Sequence, residues 1–439
     1  MAKWIVETGY EDIPEVVKKE GKRSLLNWLG VAVGAAYHPA VDIVLSMVEE
    51  VGGKEQASLL GRKEKLNILF AALVNGMTSH MFDFDDTHLE TVLHPSSPVA
   101  PVVFALGERY NLSCKDVLTA FILGAEAECR ISQAVYPDHY EVGWHITSTA
   151  GNFGAAAAAG KILGLDIKQM TYAFGIAASQ ASGLKEMFGT MTKPYHPGKA
   201  AMNGIMAAML AAKGFTSSEQ GIEAKTGFAN VLSTKQDYTQ ITGKLGEHWE
   251  LLKNSYKPFA CGIVAHPTID AVIKLRKQHQ IRVEEVVEIE AYVNRLVPIL
   301  MGKENPRTGL ETKFSTYHCA AVALLDGKAG EEQFSDERAQ AEDAVALRKK
   351  VRLIVKPEIN KDEAIINIKL NNGTILTEHV EHAVGSMINP MTDGDLQEKF
   401  YDLTKGILPE ENIHKLIQLM FKFEEVAKVN EITALCSST

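Results

Sequence analysis

The sequence has few of the features that mark membrane or secreted proteins. It contains no run of about eighteen apolar residues, so we expect no membrane span. The amino terminus carries acidic residues early and has no apolar signal core, so we expect no secretion signal. The five cysteines are widely spaced and form no CxxC pair, which favours reduced thiols. Together these absences predict a cytoplasmic protein that is not bound to a membrane.

A basic stripe and the common cofactor motifs are also absent. With 55 acidic and 45 basic residues, the net charge is −10, so nucleic acid is not an expected partner. No GxGxxG follows a predicted strand, and no GxSxG occurs, which weakens the dinucleotide-binding and serine hydrolase classes. GAAAAAGK resembles a P-loop, but Gly154 and Gly160 are six residues apart and Ile162 replaces the required serine or threonine.

Hydrophobic periodicity predicts a mainly α protein with two parts. Residues from about 12 to 260 form a succession of helical patterns, several of them apolar on all sides. After about residue 268, β-rich segments follow, and Asn372-Gly373 predicts a hairpin turn. We expect a large all-α domain, residues 1–267 and 405–439, and a smaller α+β domain, residues 268–404.

The segment FDFDDTHLETVLHPSSP, residues 82–98, places many ionisable groups between apolar helices. Burial of such groups is costly, and a polar pocket is a common reason for it. If the preceding helix continues, Asp83 and Thr87 share one face. Ser97 and Pro98 predict a helix start, which puts His94 beside a helix N-terminus. The alternatives are a capping cluster with a structural histidine, or a magnesium site at the acidic residues, for which no second acidic motif is present.

Four further segments offer groups for acid–base work or for anion binding. Histidine titrates near neutral pH, and lysines suit anionic ligands. The alternatives are core histidines and solvated loops. The segments carry His145 in GWHITSTAG; Lys193 and His196 in TKPYHPGK, ahead of a helix expected near residue 199; Lys257 in YKPFACG; and Lys313, Tyr317 and His318 in TKFSTYHC.

In this order, these five segments resemble the MmgE/PrpD family, which includes cis-aconitate decarboxylases, 2-methylcitrate dehydratases and an iminodisuccinate epimerase. The resemblance runs from about residue 5 to residue 425. It implies a homodimer whose helical domain and α+β lid domain enclose a cleft that binds a small polycarboxylate. It also implies that neither a metal nor an organic cofactor is needed.

The resemblance assigns roles to particular residues. The histidines of HPSS and GWH match the acid–base pair, and the lysines of TKP and YKP match those that hold substrate carboxylates. Tyr317 falls near the family's lid tyrosine, and His318 competes for that role. We therefore predict catalytic roles for His94, His145, Asp83, Lys193 and Tyr317, and substrate binding by Thr87, Lys257, His196 and His318.

Two positions bear on the reaction. Asp85 stands where dehydratases of the family carry the asparagine of DFNDT, and Ser97 replaces the acid that follows their HPS. HPSSPVAPV and KPFACGIVAH are closer to decarboxylase patterns. We expect decarboxylation of cis-aconitate to itaconate. The alternatives are a hydro-lyase acting on 2-methylcitrate, an epimerase of an imino- or amino-dicarboxylate, and a non-catalytic protein that binds organic acids.

Overall fold

Helices dominate the first 260 residues. The structure is a computed structural model, and it describes residues 1–438. The helices of this part are α1 (Ala2–Glu7), α2 (Glu15–Gly34), α3 (Pro39–Val51), α4 (Ile68–Met81), α5 (Ser96–Tyr110), α6 (Cys114–Val135), α7 (Asp138–Val142), α8 (Ile146–Ile162), α9 (Ile167–Gln180), α10 (Thr192–Ala212), α11 (Phe228–Leu232) and α12 (Thr239–Thr242). Two short antiparallel pairs join β1 (Ala57–Ser58) to β2 (Lys65–Leu66) and β3 (Thr87–His88) to β4 (Asn254–Ser255).

Small residues let the central helices approach closely. Helix α10 packs against α4 and α8, and a Cβ added to Gly76 on α4 would lie 2.7 Å from the Cα of Gly198 on α10. Glycine is needed at such a close approach because any side chain would separate the two backbones. This contact places the carboxyl end of α4 beside the amino-terminal turns of α10.

The next part of the chain is a four-stranded sheet with helices. Its helices are α13 (His266–His279), α14 (Leu296–Met301), α15 (Gly309–Thr312), α16 (Thr316–Asp326), α17 (Asp336–Gln340) and α18 (Glu342–Arg348). Its strands are β5 (Val286–Val293), β6 (Val351–Val355), β7 (Ala364–Leu370) and β8 (Ile375–Val380). The strand order is β6-β5-β7-β8, with β5 and β6 parallel and the other pairs antiparallel. Alternate residues such as Ile289, Ala291 and Ile366 are buried, and α13 and α16 pack against the sheet.

The chain ends in three further helices, α19 (Asp393–Thr404), α20 (Glu410–Phe421) and α21 (Val429–Leu435). Helix α19 packs on α2, and its Leu396 and Phe400 belong to the same hydrophobic core as the bundle. A second core lies between α13, α16 and the sheet. The terminal helices therefore return to the helical part of the molecule.

The structure confirms the mainly α class with a smaller α+β part, the β-rich segments after residue 268 and the Asn372-Gly373 hairpin. The domain bounds at residues 267 and 404 stay a prediction.

Two predicted helix starts are wrong. Helix α10 begins at Thr192 rather than near residue 199, because Pro194 lies in the first turn, where no hydrogen bond from its nitrogen is required. Helix α5 begins at Ser96 with Pro95 as its N-cap, instead of being capped by Ser97.

Within residues 1–438, no single helix is long and apolar enough to cross a membrane. Only α2 and α3 taken together, with a bend of 82° between them, meet the length and composition criteria.

Candidate active site

A strained turn carries Asp83 away from the end of α4. The helix ends at Met81, and Asp83 has a backbone φ of 52°, in the left-handed region. This conformation is unfavourable for a residue with a Cβ, so surrounding contacts must hold it. The chain then enters β3 at Thr87. The expectation that Asp83 and Thr87 share a helix face is therefore wrong, although both side chains line the same cavity.

This cavity lies where the bundle meets the second core. Its volume is about 60 Å³, which is small against the usual range of small-ligand sites. Its polar lining consists of Asp83, Thr87, His94, Tyr140, His145, Lys193 and Lys257. The remaining lining consists of Val92, Phe188, Gly262, Ile263, Val264, Leu300, Met301 and Phe314. Polar groups thus converge in an otherwise apolar pocket.

Two lysines share the Asp83 carboxylate. The Nζ atom of Lys193 is 2.5 Å from Oδ1, and that of Lys257 is 3.2 Å from Oδ2. Burial raises the pKa of Asp83, but the two ammonium groups outweigh burial and hold that pKa well below its usual value. Burial also lowers the pKa of Lys193 more than the Asp83 carboxylate raises it. With both lysines protonated, the group carries one net positive charge that an anionic ligand can neutralise.

His94 is held in one orientation by main-chain and side-chain contacts. Its Nδ1 atom lies 2.8 Å from the carbonyl oxygen of Asp86 and 3.3 Å from Oδ1 of Asp85. A carbonyl oxygen only accepts hydrogen bonds, so Nδ1 carries a proton. The backbone N–H of His94 donates to Oγ1 of Thr147. Since Nδ1 is used in this way, Nε2 is the ring nitrogen left for a ligand in the cavity.

Four histidine rings form one cluster, of which His94 and His145 line the cavity and His80 and His196 lie behind them. The His80 ring lies 4.7 Å from that of His94 and 5.7 Å from that of His145, measured between centroids. On its other side, His145 Nδ1 is 2.9 Å from Nδ1 of His196, so one of these atoms donates and the other accepts. Burial lowers the pKa of His80 to about 3 and that of His196 to about 4. Burial, reinforced by His80 and Lys193, also lowers the pKa of His145 well below its usual value. These three rings are therefore neutral at pH 7.

Two buried aspartates, Asp85 and Asp86, lie next to the histidine cluster. Asp85 Oδ2 accepts hydrogen bonds from His80 Nδ1 at 2.7 Å and from Ser97 Oγ at 2.6 Å. Burial would raise the pKa of Asp85, but contacts with His80 and His94 hold it well below its usual value. Asp86 accepts from the Oγ of Ser96, and burial raises the pKa of Asp86 to about 6. One acid of this pair is thus kept as a carboxylate beside the histidines.

The structure brings six of the nine predicted site residues to the cavity and leaves three outside its lining. His196 lies behind His145. The Tyr317 hydroxyl donates to Glu304 near the surface, and His318 is buried with Nε2 2.9 Å from the carbonyl oxygen of Gln333. His318 lies beside Phe334 of the second core, and Tyr317 packs partly buried against the same core, so neither lines the cavity.

Sequence reasoning missed several contributors. His80 sits in the last turn of an apolar helix, five residues before Asp85, and that spacing was the one available signal. Phe188 and Phe314 stack with centroids 5.8 Å apart, and Lys193 Nζ lies 5.4 and 5.2 Å from their rings. These aromatic faces attract the ammonium group and shield it from water.

The donor set also bears on the magnesium alternative. Ligand atoms of His80, Asp83, Asp85 and His94 lie within 4.8 Å of one another. However, both oxygens of Asp83 already face ammonium groups, whose charge opposes a second cation. The carboxylate therefore serves as a counter-ion for lysines, in agreement with the prediction of no metal, which stays a prediction.

Two family models match most of the chain, and several known proteins are similar to it over nearly its full length. The MmgE/PrpD N-terminal domain model matches residues 1–241, and the MmgE/PrpD C-terminal domain model matches residues 259–422. Cis-aconitate decarboxylase of Mus musculus is 28% identical over 95% of this chain and 88% of its own length. The Homo sapiens protein of the same name is 28% identical over 95% and 90%, and that of Aspergillus terreus (strain NIH 2624) is 26% identical over 98% and 94%.

Proposed function

The chain belongs to the MmgE/PrpD family, and we propose that it decarboxylates cis-aconitate to itaconate without a cofactor. The observation that carries the proposal is the convergence of Lys193, Lys257 and His94 on one cavity. The names of the similar proteins support the same reaction. As part of the proposal, and on the family resemblance alone, we keep a homodimeric assembly and a cytoplasmic location.

The two lysines suit a substrate with several carboxylates. Charge-assisted hydrogen bonds contribute about 1.5–3 kcal/mol each, and more where water is excluded. Lys193 and Lys257 already lie within contact distance of one carboxylate, that of Asp83. A substrate carboxylate entering beside Asp83 would meet the same two ammonium groups. The net positive charge of this trio therefore selects an anion inside a protein of net charge −10.

The reaction needs a proton delivered to carbon. Cis-aconitate carries one carboxylate on a methylene carbon and two on its double bond. As the methylene carboxylate leaves as CO2, the electrons of the broken C–C bond form a new double bond. The electrons of the old double bond shift to the far carbon, which takes up the proton. Cis-aconitate trianion and one proton thus give itaconate dianion and CO2.

His94 is the better proton donor of the two candidate histidines. The Asp86 carbonyl keeps the Nδ1 proton in place, and the carboxylate of Asp85 lies 3.3 Å from the same nitrogen. The proton on Nε2 is then the one transferred, and solvent restores it after product release. His145 has a lowered pKa and stays neutral, so we assign it a hydrogen bond to the substrate. Thr87, whose Oγ1 is 3.4 Å from His94 Nδ1, lines the cavity beside these two histidines.

The apolar lining would protect the step from water. Phe188, Phe314 and Ile263 line the same cavity as the charged groups. Exclusion of water strengthens the lysine–carboxylate contacts as charge moves through the substrate.

The test is a substrate panel followed by NMR. The purified protein is incubated in D2O with cis-aconitate, 2-methylcitrate or iminodisuccinate. We expect itaconate from cis-aconitate only, with one deuterium on the methylene carbon beside a carboxylate. Turnover of another substrate instead of cis-aconitate would assign the protein to the hydro-lyase or epimerase branch and overturn the proposal.

A further inference from the structure

Three consecutive carbonyl oxygens of the strained turn each accept a hydrogen bond from a different buried lysine. The pairs are Phe82 with Lys313 Nζ at 2.8 Å, Asp83 with Lys257 Nζ at 2.8 Å, and Phe84 with Lys399 Nζ at 2.7 Å. The lysines come from three separate parts of the chain. Hydrogen bonds from distant parts of the chain therefore stabilise the turn, in addition to the hydrogen bonds within it.

Two of these lysines also bind the segment that carries Lys257. Lys399 Nζ donates to the carbonyl oxygen of Lys257 at 2.8 Å, and Lys313 Nζ donates to that of Ala260 at 3.0 Å. The backbone N–H of Gly262, which lines the cavity, donates to the Lys313 carbonyl at 3.1 Å. Lys313 and Lys399 thus join residues 82–84 to residues 257–260 at two points.

Burial and the nearby Lys257 lower the pKa of Lys399 well below its usual value, and the acceptor atoms around its amine, all of them from the protein, oppose the loss of its proton. Its third acceptor is Oδ1 of Asn27 at 2.8 Å, so three acceptors meet the three N–H donors of an ammonium group. Lys313 completes its own set with a carboxylate oxygen of Glu331 at 2.5 Å. Both lysines are buried, and neither lines the cavity. Burial of two amines whose hydrogen bonds all go to the protein requires a reason other than contact with a ligand.

We propose that Lys313 and Lys399 are positioning residues that hold the left-handed turn at Asp83 against residues 257–260. In this arrangement the Asp83 carboxylate and the Lys257 ammonium group are aimed into the cavity before substrate arrives. Their effect on turnover rests on the proposed decarboxylase function, whereas their effect on the turn does not.

Lys399→Ala and Lys313→Ala test this role, with Lys161→Ala as a matched control. Lys161 Nζ also donates to two carbonyl oxygens, those of Val6 at 2.9 Å and Thr8 at 2.7 Å. It lies at the far end of α8, about 22 Å along the helix from Ile146. We expect the two test variants to exchange the amide hydrogens of residues 83–88 at least tenfold faster and to lose at least tenfold in kcat/KM. The control should change the melting temperature only.

Chemical rescue separates positioning from general stability. Propylammonium fits the volume and charge removed in Lys399→Ala, so it should restore kcat/KM in a saturable manner, and propanol should not. Wild-type exchange at residues 83–88 together with wild-type kinetics in both variants would overturn the proposal. If the alanine variants do not fold, Lys399→Met and Lys313→Met preserve the side-chain volume and are read in the same way.

Failure of the proposed decarboxylase function can be distinguished from failure of the positioning role. If the wild-type protein does not turn over cis-aconitate, the exchange measurement still reports on the turn. Calorimetric binding of tricarballylate, a saturated tricarboxylate, then replaces kcat/KM. Faster exchange with weaker tricarballylate binding would support positioning in a site with a different reaction, and unchanged values of both would contradict it.

Discussion

The Nδ1 atom of His94 lies 2.8 Å from the carbonyl oxygen of Asp86, so this nitrogen keeps its proton whether the ring is neutral or charged. Proton transfer must therefore occur at Nε2. We predict that His94→Gln lowers kcat for cis-aconitate by about 10²–10⁴-fold, the range for loss of a general acid. Steady-state kinetics with itaconate quantified by NMR would measure the loss.

His88→Gln is the matched control for this change. His88 is buried in the same segment, but it contacts Thr91 and Glu250 and does not line the cavity. We expect it to alter stability without a comparable loss of kcat. Equal losses in the two variants would assign His94 a structural role only.

Lys193 should act mainly in substrate binding. Its ammonium group contacts one oxygen of Asp83 and lies between two aromatic rings. Loss of one charge-assisted contact of about 1.5–3 kcal/mol predicts that Lys193→Met raises KM about 10–100-fold. Lys199→Met is the control on the same helix, since Lys199 contacts Ser182 outside the cavity lining. A loss confined to kcat would contradict the binding role.

The same lysine predicts the alkaline limit of activity. Because burial lowers the pKa of Lys193, its ammonium form is lost at a lower pH than that of an ordinary lysine. The value of kcat/KM should therefore fall as pH rises through this lowered pKa. A guanidinium group does not deprotonate in this range, so Lys193→Arg should move the limit to higher pH even if its maximal rate is lower. Superimposable alkaline limbs in profiles of the two proteins would refute the assignment.

Much of the fold and of the site could be predicted from local sequence. The alternation in AIINIKL and the Asn372-Gly373 turn depend on neighbouring residues, and the hairpin forms as expected. His94, His145, Lys193 and Lys257 stand in segments with unusual local composition, and all four reach the cavity.

The turn at Asp83 could not be predicted in the same way. Its conformation depends on Lys313 and Lys399, which lie 231 and 315 residues away from the carbonyls they bind. In DGDLQEKF, Lys399 has the pattern of a solvated lysine on an amphipathic helix. The role of His80 likewise depends on the fold, because it lies beside His145 only when α4 packs near the start of α8.

Chelation tests the role of the carboxylates. Since both oxygens of Asp83 face ammonium groups, we expect kcat and KM to be unchanged after dialysis against EDTA and removal of the chelator. Addition of Mg²⁺ or Zn²⁺ should not increase the rate. Loss of activity on chelation, restored by one of these ions, would require a metal at the His80, Asp83, Asp85 and His94 group.

Asp86 predicts a pH-dependent cost of folding. Its pKa is about 6 in the folded protein against 3.8 as the ordinary value, and burial is the main cause. The folded protein therefore binds a proton that the unfolded chain has released, and the contribution of Asp86 to stability falls as pH rises from about 4 to about 6. A shift of about two units corresponds to about 3 kcal/mol. The free energy of unfolding of Asp86→Asn, relative to the wild type, should rise by about this amount between pH 4 and pH 7 in urea titrations.

Asp85→Asn is the control, because the pKa of this carboxyl is lowered. The substitution removes stability that is present above about pH 4, so the free energy of unfolding relative to the wild type should not rise with pH. A wild-type pH dependence in Asp86→Asn would show that Asp86 is ionised throughout and that Ser96 and Asn254 fully offset its burial.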